Sequence, residues 1–300
     1  MTQRSPVRRA PPARPATRRP HTESPIRRTR TVRRASAGLS PVRAGALLAM
    51  LLAAAAIYGV ANSSAFTFQD LRVEGAALTD PAAVEQVLDE VRGGNLFGMR
   101  TGPLEVALLD LPTVRKASVA VGLPDSLVVR VEERTPVLVW RVGAQRYLVD
   151  RDGRLFAQVG DEPAPDVATL PIVEDRRAIS GRLSIGGQLE PVDLDAATRL
   201  ASLVPADVGS EATAFTVAVG DINGFVLRAH PQDWTAVFGF YTLSLRTPDL
   251  IPGQVRLLRS LIIGREPLVE RMILASETDG TYIARPTPKP TPKPKATPEP

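Results

Sequence analysis

The longest apolar run in the chain is residues 44–61, AGALLAMLLAAAAIYGVA, eighteen positions without a charge. As a helix rising 1.5 Å per residue it is about 27 Å long, close to the hydrocarbon thickness of a bilayer. A buried core helix would be amphipathic and capped, whereas this run is apolar all round. The pattern therefore predicts a membrane-spanning helix over 44–61. The alternative is a cleaved signal peptide, which usually carries a shorter apolar region. Ala61-Asn62-Ser63 and Ser63-Ser64-Ala65 are passable cleavage sites for it.

Beyond the run the period changes. Residues 66–74 (FTFQDLRVE) read as a strand ended by Gly75, with a slip in the alternation between Phe68 and Leu71 that predicts a bulge or a late strand start. Asp80-Pro81 predicts a helix start, with Asp as N-cap and Pro at the first helical position. Val84, Val87, Leu88 and Val91 follow as one apolar stripe, and Gly93-Gly94 stops it. Asn95 to Gly98 bridges to a second helix from Pro103 that buries Leu104, Leu108 and Leu111 before Pro112. Ala117, Val119 and Val121, then Leu127, Val129 and Val131, alternate around the turn residues 122–125, which predicts a hairpin. The order β-α-α-β-β in about 70 residues describes a small module with a half-covered sheet.

From Thr135 the texture is strands separated by turns. Strands are predicted over 137–142, 145–149 and 155–156, with Asp150 to Gly153 as a turn and 161–171 as a Pro- and Asp-rich loop. Leu194, Ala197, Leu200, Ala201 and Val204 predict a helix capped by Asp193. A hairpin is expected over 215–219 and 225–229 about Asp221 to Gly224, and a strand over 234–240. A helix over 254–263 places Val255, Leu258, Leu261 and Ile262 inward. Strands over 268–274 and 281–284 flank Glu277 to Gly280.

Charge divides the chain. Residues 1–43 hold 12 Arg against one acid, Glu23, a net +11. The remaining chain holds 25 basic against 31 acidic residues, a net −6. Residues 62–82 carry one Arg, Arg72, against Asp70, Glu74 and Asp80. By the positive-inside rule the N-terminus lies in the cytoplasm and the chain after Ala61 outside it. Residues 1–41 have almost no large apolar side chains and are expected to be disordered, their arginines drawn to anionic lipid headgroups. The tail lacks interleaved aromatics and any motif, so no nucleic acid is expected as partner. The terminal PTPKPTPKPKATPEP is a repetitive Pro/Lys/Thr tail, expected to be extended and unpacked.

Candidate chemistry is sparse. There is no cysteine, which removes disulfides, thiol catalysis and cysteine-ligated metals. The two histidines are His21 and His230, and a Ser/His/Asp triad in the folded part would have to use His230, beside Pro231 and without a nucleophile-elbow pattern. Glu132 and Glu133 are strand neighbours on opposite faces and cannot share a substrate. They are expected to be solvated or paired with Arg130 or Arg134. Asp150-Arg151-Asp152-Gly153 opens like a calcium loop but lacks the further ligands, so it reads as a β-turn. There is no Walker loop and no G-x-G-x-x-G. No cofactor, metal or catalytic residue is expected.

Residues 111–119 (LPTVRKASV) and 123–137 (LPDSLVVRVEERTPV) resemble the FtsQ/DivIB bacterial cell-division proteins, whose extracytoplasmic POTRA module ends in a similar run. Residues 148–156 (LVDRDGRLF) resemble the family's next segment, which opens its second, β-rich domain. The resemblance is strongest over 66–156 and departs in the middle of the second domain and in the Pro/Lys tail. It implies an α+β chain: a disordered cytoplasmic tail (1–43), a transmembrane helix (44–61), a POTRA module (66–134), a mixed FtsQ-type β-domain with a C-terminal edge strand (135–285) and a disordered tail (286–300). It implies a single-pass division scaffold at the septum, not an enzyme, that recruits and regulates septal peptidoglycan synthesis. The implied partners are FtsB-like and FtsL-like membrane-anchored proteins and other divisome proteins, with the POTRA module as a second docking surface. FtsB-like contacts are implied at the C-terminal strands. If the last strand is a sheet edge, a partner segment can add to it by backbone pairing. Thr281, Tyr282 and Ile283, with Arg271, Met272, Ile273 and Leu274 on the neighbouring strand, are then the candidate binding residues. A proline at Ile283 is expected to abolish that pairing and leave the ectodomain folded. The alternatives are an anchored or secreted wall enzyme or binding protein, and a POTRA-containing translocation component, which would normally show repeated modules or a barrel-length series of strands.

Overall fold

The computed structural model describes residues 40–160 and 163–286. The expectations for the N-terminal tail up to residue 39, for residues 161 and 162 and for the tail from 287 lie outside the described residues. Helix α1 (Pro41–Ala61) has 21 residues and buries none of them. Among the described residues it is the one helix long and apolar enough to cross a membrane. It starts three residues before the predicted span. Pro41 suits the first helical position, and the Arg43 N–H lies 3.4 Å from Ser40 Oγ.

The next elements build a three-stranded sheet in the order β1-β3-β2. Strand β1 (Asp70–Glu74) runs parallel to β3 (Ser126–Glu133), and β2 (Val114–Gly122) runs antiparallel to it. Helices α2 (Pro81–Leu88) and α3 (Thr101–Leu109) supply Val84, Leu88, Leu104 and Leu108 to a core shared with Phe68, Leu127 and Val129. Asp80 caps α2 as expected, its Oδ1 accepting the Ala82 N–H at 3.0 Å. The slip between Phe68 and Leu71 is a late strand start. Phe68 exchanges backbone bonds with Gly93 and Gly94, whereas 70–74 pair with β3, so two different partners set the two phases.

The second sheet has nine strands in the order β12-β11-β10-β9-β8-β7-β4-β5-β6. They are β4 (Pro136–Val142), β5 (Gln145–Asp150), β6 (Leu155–Gln158), β7 (Ile172–Asp175), β8 (Ala214–Gly220), β9 (Gly224–His230), β10 (Thr235–Gly239), β11 (Val269–Leu274) and β12 (Gly280–Ala284). The 215–219/225–229 hairpin forms about a turn in which Gly224 is indispensable. Its φ is +62°, and a Cβ there would stand 2.3 Å from the Gly239 carbonyl carbon. Short helices α4 (Pro165–Ala168) and α6 (Pro205–Val208) lie in connections, while α5 (Pro191–Ala201) and α7 (Ile251–Ile262) cover one face of the sheet. Ala196, Ala197, Leu200, Leu258 and Ile262 pack there against Trp140, Val173, Val217, Leu227, Ala236 and Met272.

The sequence pattern missed β7, which lies parallel between β4 and β8. Its four residues, IVED, are too few to show a period. Asp193 does not cap α5. The helix begins at Pro191 with Glu190 before it, and the Asp193 carboxylate instead accepts Arg177 Nη1 at 2.5 Å. Val204 lies beyond the end of α5 and is exposed, not inward.

Candidate partner-binding edge

Strand β12 pairs only with β11 among the described residues and so forms one edge of the nine-stranded sheet. The opposite edge, β6, is covered: Leu155 exchanges backbone bonds with Gly186 and Gly187, and Arg154 bridges Gln188. The register Met272↔Tyr282, Ile273↔Thr281 and Arg271↔Ile283 sorts the seven candidate residues by face. Met272 and Leu274 are buried under the helices. Tyr282 shares the Met272 face and stays 45% exposed. Arg271, Ile273, Thr281 and Ile283 point to the other face. The structure thus brings all seven onto one hairpin, with Met272 and Leu274 as core residues beneath it.

The backbone phase of the edge follows from one bond. Arg285 N–H donates to Leu268 O at 2.7 Å, so Arg285 faces β11. Alternate residues of an antiparallel strand address the same neighbour. Ile283 and Thr281 therefore also face β11, and Tyr282 and Ala284 turn their N–H and C=O outward. This corrects the choice of Ile283 for a proline, which would unlatch β12 from its own sheet. Ala284 is the position that tests the edge alone.

Among the described residues no helix packs on the face bearing Arg271 from β7 to β12. Helix α4 packs only at the far end, where Val167 joins Val139, Leu148 and Phe156. One row of side chains runs Thr281, Ile273, Val237, Val226, Ala218 and Glu174; the next runs Ile283, Arg271, Thr235, Arg228 and Thr216. From Arg271 and Val237 to Thr216 and Glu174 these rows floor a hollow of about 700 Å³, which Thr281, Ile273 and Ile283 do not line. Glu174 is paired with Arg141 and, at 2.5 Å, with Arg176 Nη2. Arg271 Nη2 donates to Asn223 Oδ1 at 2.7 Å, its Nε is buried without an acceptor, and Arg228 reaches Asp233 only at 3.9 Å. Among the described residues, then, neither guanidinium is hydrogen-bonded to a carboxylate. Arg228, Val226 and Thr235 were not picked from the sequence. Their signal was strand alternation opposite buried Leu227 and Ala236.

The remaining candidate groups are structural. Glu132 pairs with Lys116 Nζ at 2.8 Å. Glu133 accepts the N–H groups of Ala77, Leu78 and Thr79, at 2.6 Å for Thr79. Glu132 is exposed, as one of the two expectations had it, but neither glutamate pairs with Arg130 or Arg134; those two bind Glu74 and Asp150. Asp150 Oδ1 closes its turn by accepting the N–H groups of Asp152 and Arg154, both at 2.9 Å. His230 ends β9, exposed, with Nε2 3.1 Å from Thr216 Oγ1, and among the described residues no carboxylate hydrogen-bonds its ring. Among the described residues no cluster of His, Asp or Glu has the makings of a metal site.

Under the β10–β11 region Glu266 is buried and accepts Trp234 Nε1 at 2.7 Å, Ser210 Oγ at 2.5 Å and Glu211 N–H at 2.8 Å. Burial pushes its pKa up, but these three donors together outweigh burial and hold it below the ordinary carboxylate range. A depressed folded-state pKa contributes stability that is present above the unfolded value, about 4.3, and lost as pH falls through the folded value. The melting temperature of the folded part beyond α1 is expected to stay level above about pH 5 and to fall below about pH 4. In Glu266→Gln that acid limb is expected to be shallower, measured by circular dichroism across the range.

Residues 66–134 match the family model described as "POTRA domain, FtsQ-type". Proteins named "Cell division protein FtsQ" are similar over longer stretches. The one from Chloroflexus aurantiacus is 29% identical over 204 residues, covering 67% of this chain and 71% of its own. The one from Chloroflexus aggregans is 31% identical over 186 residues, covering 61% and 64%. The chain is thus similar to the FtsQ proteins over as much as 67% of its length, and its residues 66–134 carry their type of POTRA domain. It is a cell-division protein with a POTRA domain, a β-rich region after it and one helix suited to a single-pass anchor. The likeness to other FtsQ proteins is shorter: the one from Burkholderia pseudomallei matches at 34% over 113 residues, 44% of its length.

Proposed function

We propose that the chain is a single-pass scaffold of the division apparatus, with its N-terminus in the cytoplasm and its two sheets outside. It recruits and regulates septal peptidoglycan synthesis by docking FtsB-like and FtsL-like membrane-anchored proteins and other divisome proteins. The observation that carries the reading is the open β12 edge beside the uncovered face. A partner strand added to β12 takes the outward backbone groups of Tyr282 and Ala284. Its flanking segment crosses the face, with apolar side chains on Val226, Val237 and Ile273 and acidic ones at Arg228 and Arg271. The arginine asymmetry about α1 supports the orientation, and the basic tail is suited to anionic lipid on the cytoplasmic side.

Depletion of the protein in cells carrying an N-terminal fluorescent fusion tests this reading. Long unseptated cells, with the fusion gathered at the division site before depletion, are the expected result. Normal division with a diffuse envelope signal would refute the scaffold role.

A further inference from the structure

The start of the POTRA domain carries apolar and cationic groups that its fold leaves unused. Phe66 and Phe97 meet at a tilt with ring centroids 4.9 Å apart; Phe97 is 56% exposed and Phe66 half-buried. A core aromatic pair would be covered, and the Phe68 ring nearby is fully buried. Asn95, which bridges to Thr67 and accepts the Phe97 N–H at 2.9 Å, fixes the Phe97 turn. On the same loop Arg92 and Arg100 line a shallow hollow, with Glu90 on its rim. Arg92 is held over the Phe68 ring at 5.7 Å and pairs with Asp89 at 3.3 Å; Arg100 has no ion pair among the described residues. An exposed aromatic ring on the same loop as two exposed arginines has the composition of a membrane interface, where aromatic side chains sit at headgroup level and guanidiniums meet lipid phosphates.

Chain length identifies the occupant. Four residues separate Ala61, the end of α1, from Phe66, and a fully extended link of that size spans at most about 18 Å. Asn95 Nδ2 also donates to Ala61 O at 2.7 Å. Tyr58, in the last turn of α1, is a residue type that favours the headgroup level. A surface tethered this closely to the end of a spanning helix stays within reach of the headgroups.

We propose that Phe66 and Phe97, with Arg92 and Arg100, form a footing by which the POTRA domain rests on the lipid headgroups of the leaflet where α1 ends. This rests on the anchor reading of α1. The footing limits the tilt of the POTRA domain, so that the linker does not act as a free swivel between membrane and partner edge.

The chain has no cysteine, so a single one reports cleanly. Gly98 and Gly181 are exposed, and a Cβ at either meets nothing within 4 Å. The full chain carrying Gly98→Cys or Gly181→Cys is spin-labelled and reconstituted into vesicles of phosphatidylethanolamine and phosphatidylglycerol. Collision with an aqueous nickel chelate is then compared with collision with dissolved oxygen. The label at 98 is expected to be several-fold less accessible to the chelate than the label at 181. That shielding is expected to disappear with Phe97→Ser and to weaken with Arg100→Gln, both exposed positions that leave the core intact. Equal chelate access at 98 and 181 in a chain that floats with the vesicles overturns the footing alone. Full shielding kept by either variant also overturns it, as does shielding that falls when the protein is diluted in lipid, which would assign the surface to a second copy. A chain that does not float with the vesicles removes the anchor reading and the footing together.

Discussion

Ala284→Pro is expected to weaken binding of the edge partner about ten- to hundred-fold while leaving the fold unchanged. Ala284 is exposed, lies on the outermost strand, and turns its N–H away from β11. Proline is tolerated on an edge strand where that N–H faces solvent. A strand docking there loses one backbone hydrogen bond, and the pyrrolidine ring meets it where a donor should be. An unmade bond to a desolvated partner costs about 1–3 kcal/mol, and 1.4 kcal/mol is a factor of ten. The measurement is calorimetric titration of the chain beyond α1 with the corresponding segment of the proposed FtsB-like partner. Melting temperature is measured in parallel, and Ala284→Ser serves as the near-neutral control. Unchanged affinity in a folded Ala284→Pro protein would sink strand addition at β12 and leave the open face as the docking surface. Ile283→Pro makes an instructive contrast, since there both the affinity and the melting temperature are expected to fall.

Much of this edge was legible in the sequence because it is built from local rules. Alternation in 268–274 and 281–284 with a turn at Glu277 to Gly280 suffices to draw the β11–β12 hairpin. A strand next to a Pro/Lys repeat is also a natural place for an edge. The POTRA module was legible for similar reasons, since Asp80-Pro81, Pro112 and 122–125 are terminators and turns whose effect is local. Long-range information was missing. The insertion of β7 between β4 and β8 joins strands from distant parts of the chain, and four residues carry no period that would announce it. The backbone phase of β12 depends on the Arg285–Leu268 bond, which no side-chain pattern encodes. The uncovered face was hidden for another reason. Arg228 and Arg271 look like ordinary solvated residues until the sheet order places them in one row on either side of Thr235. The buried network in which Asp175 accepts Trp140 Nε1 at 3.1 Å, Ser180 Oγ at 2.6 Å and Arg177 Nη2 at 2.8 Å was equally invisible, because its members come from separate elements.

Arg134→Ala is expected to be among the most destabilising single changes in the ectodomain, at about 3 kcal/mol. Arg134 follows the last POTRA strand, and its Nη1 lies 2.5 Å from Asp150 Oδ2 at the end of β5. Its Nε donates to Pro112 O at 3.1 Å, so one side chain ties the helix-to-strand corner of the three-stranded sheet to the first hairpin of the nine-stranded one. The pair is largely out of water, with side-chain exposures of 14% for Arg134 and 4% for Asp150. Removing one partner of a buried ion pair leaves an uncompensated charge and costs about 3–5 kcal/mol, whereas replacing both is far milder. The lower end applies because Asp150 keeps its bonds from the Asp152 and Arg154 N–H groups. The double variant Arg134→Met with Asp150→Asn is therefore expected to recover a large part of the loss, read as a coupling in a double-mutant cycle by urea unfolding. Additive losses would mean that the pair is screened and the joint is held by backbone alone. The outcome also bears on function. The proposed partner edge lies in the nine-stranded sheet, so its orientation relative to the POTRA domain depends on how stiff this joint is, and Arg134 spans it.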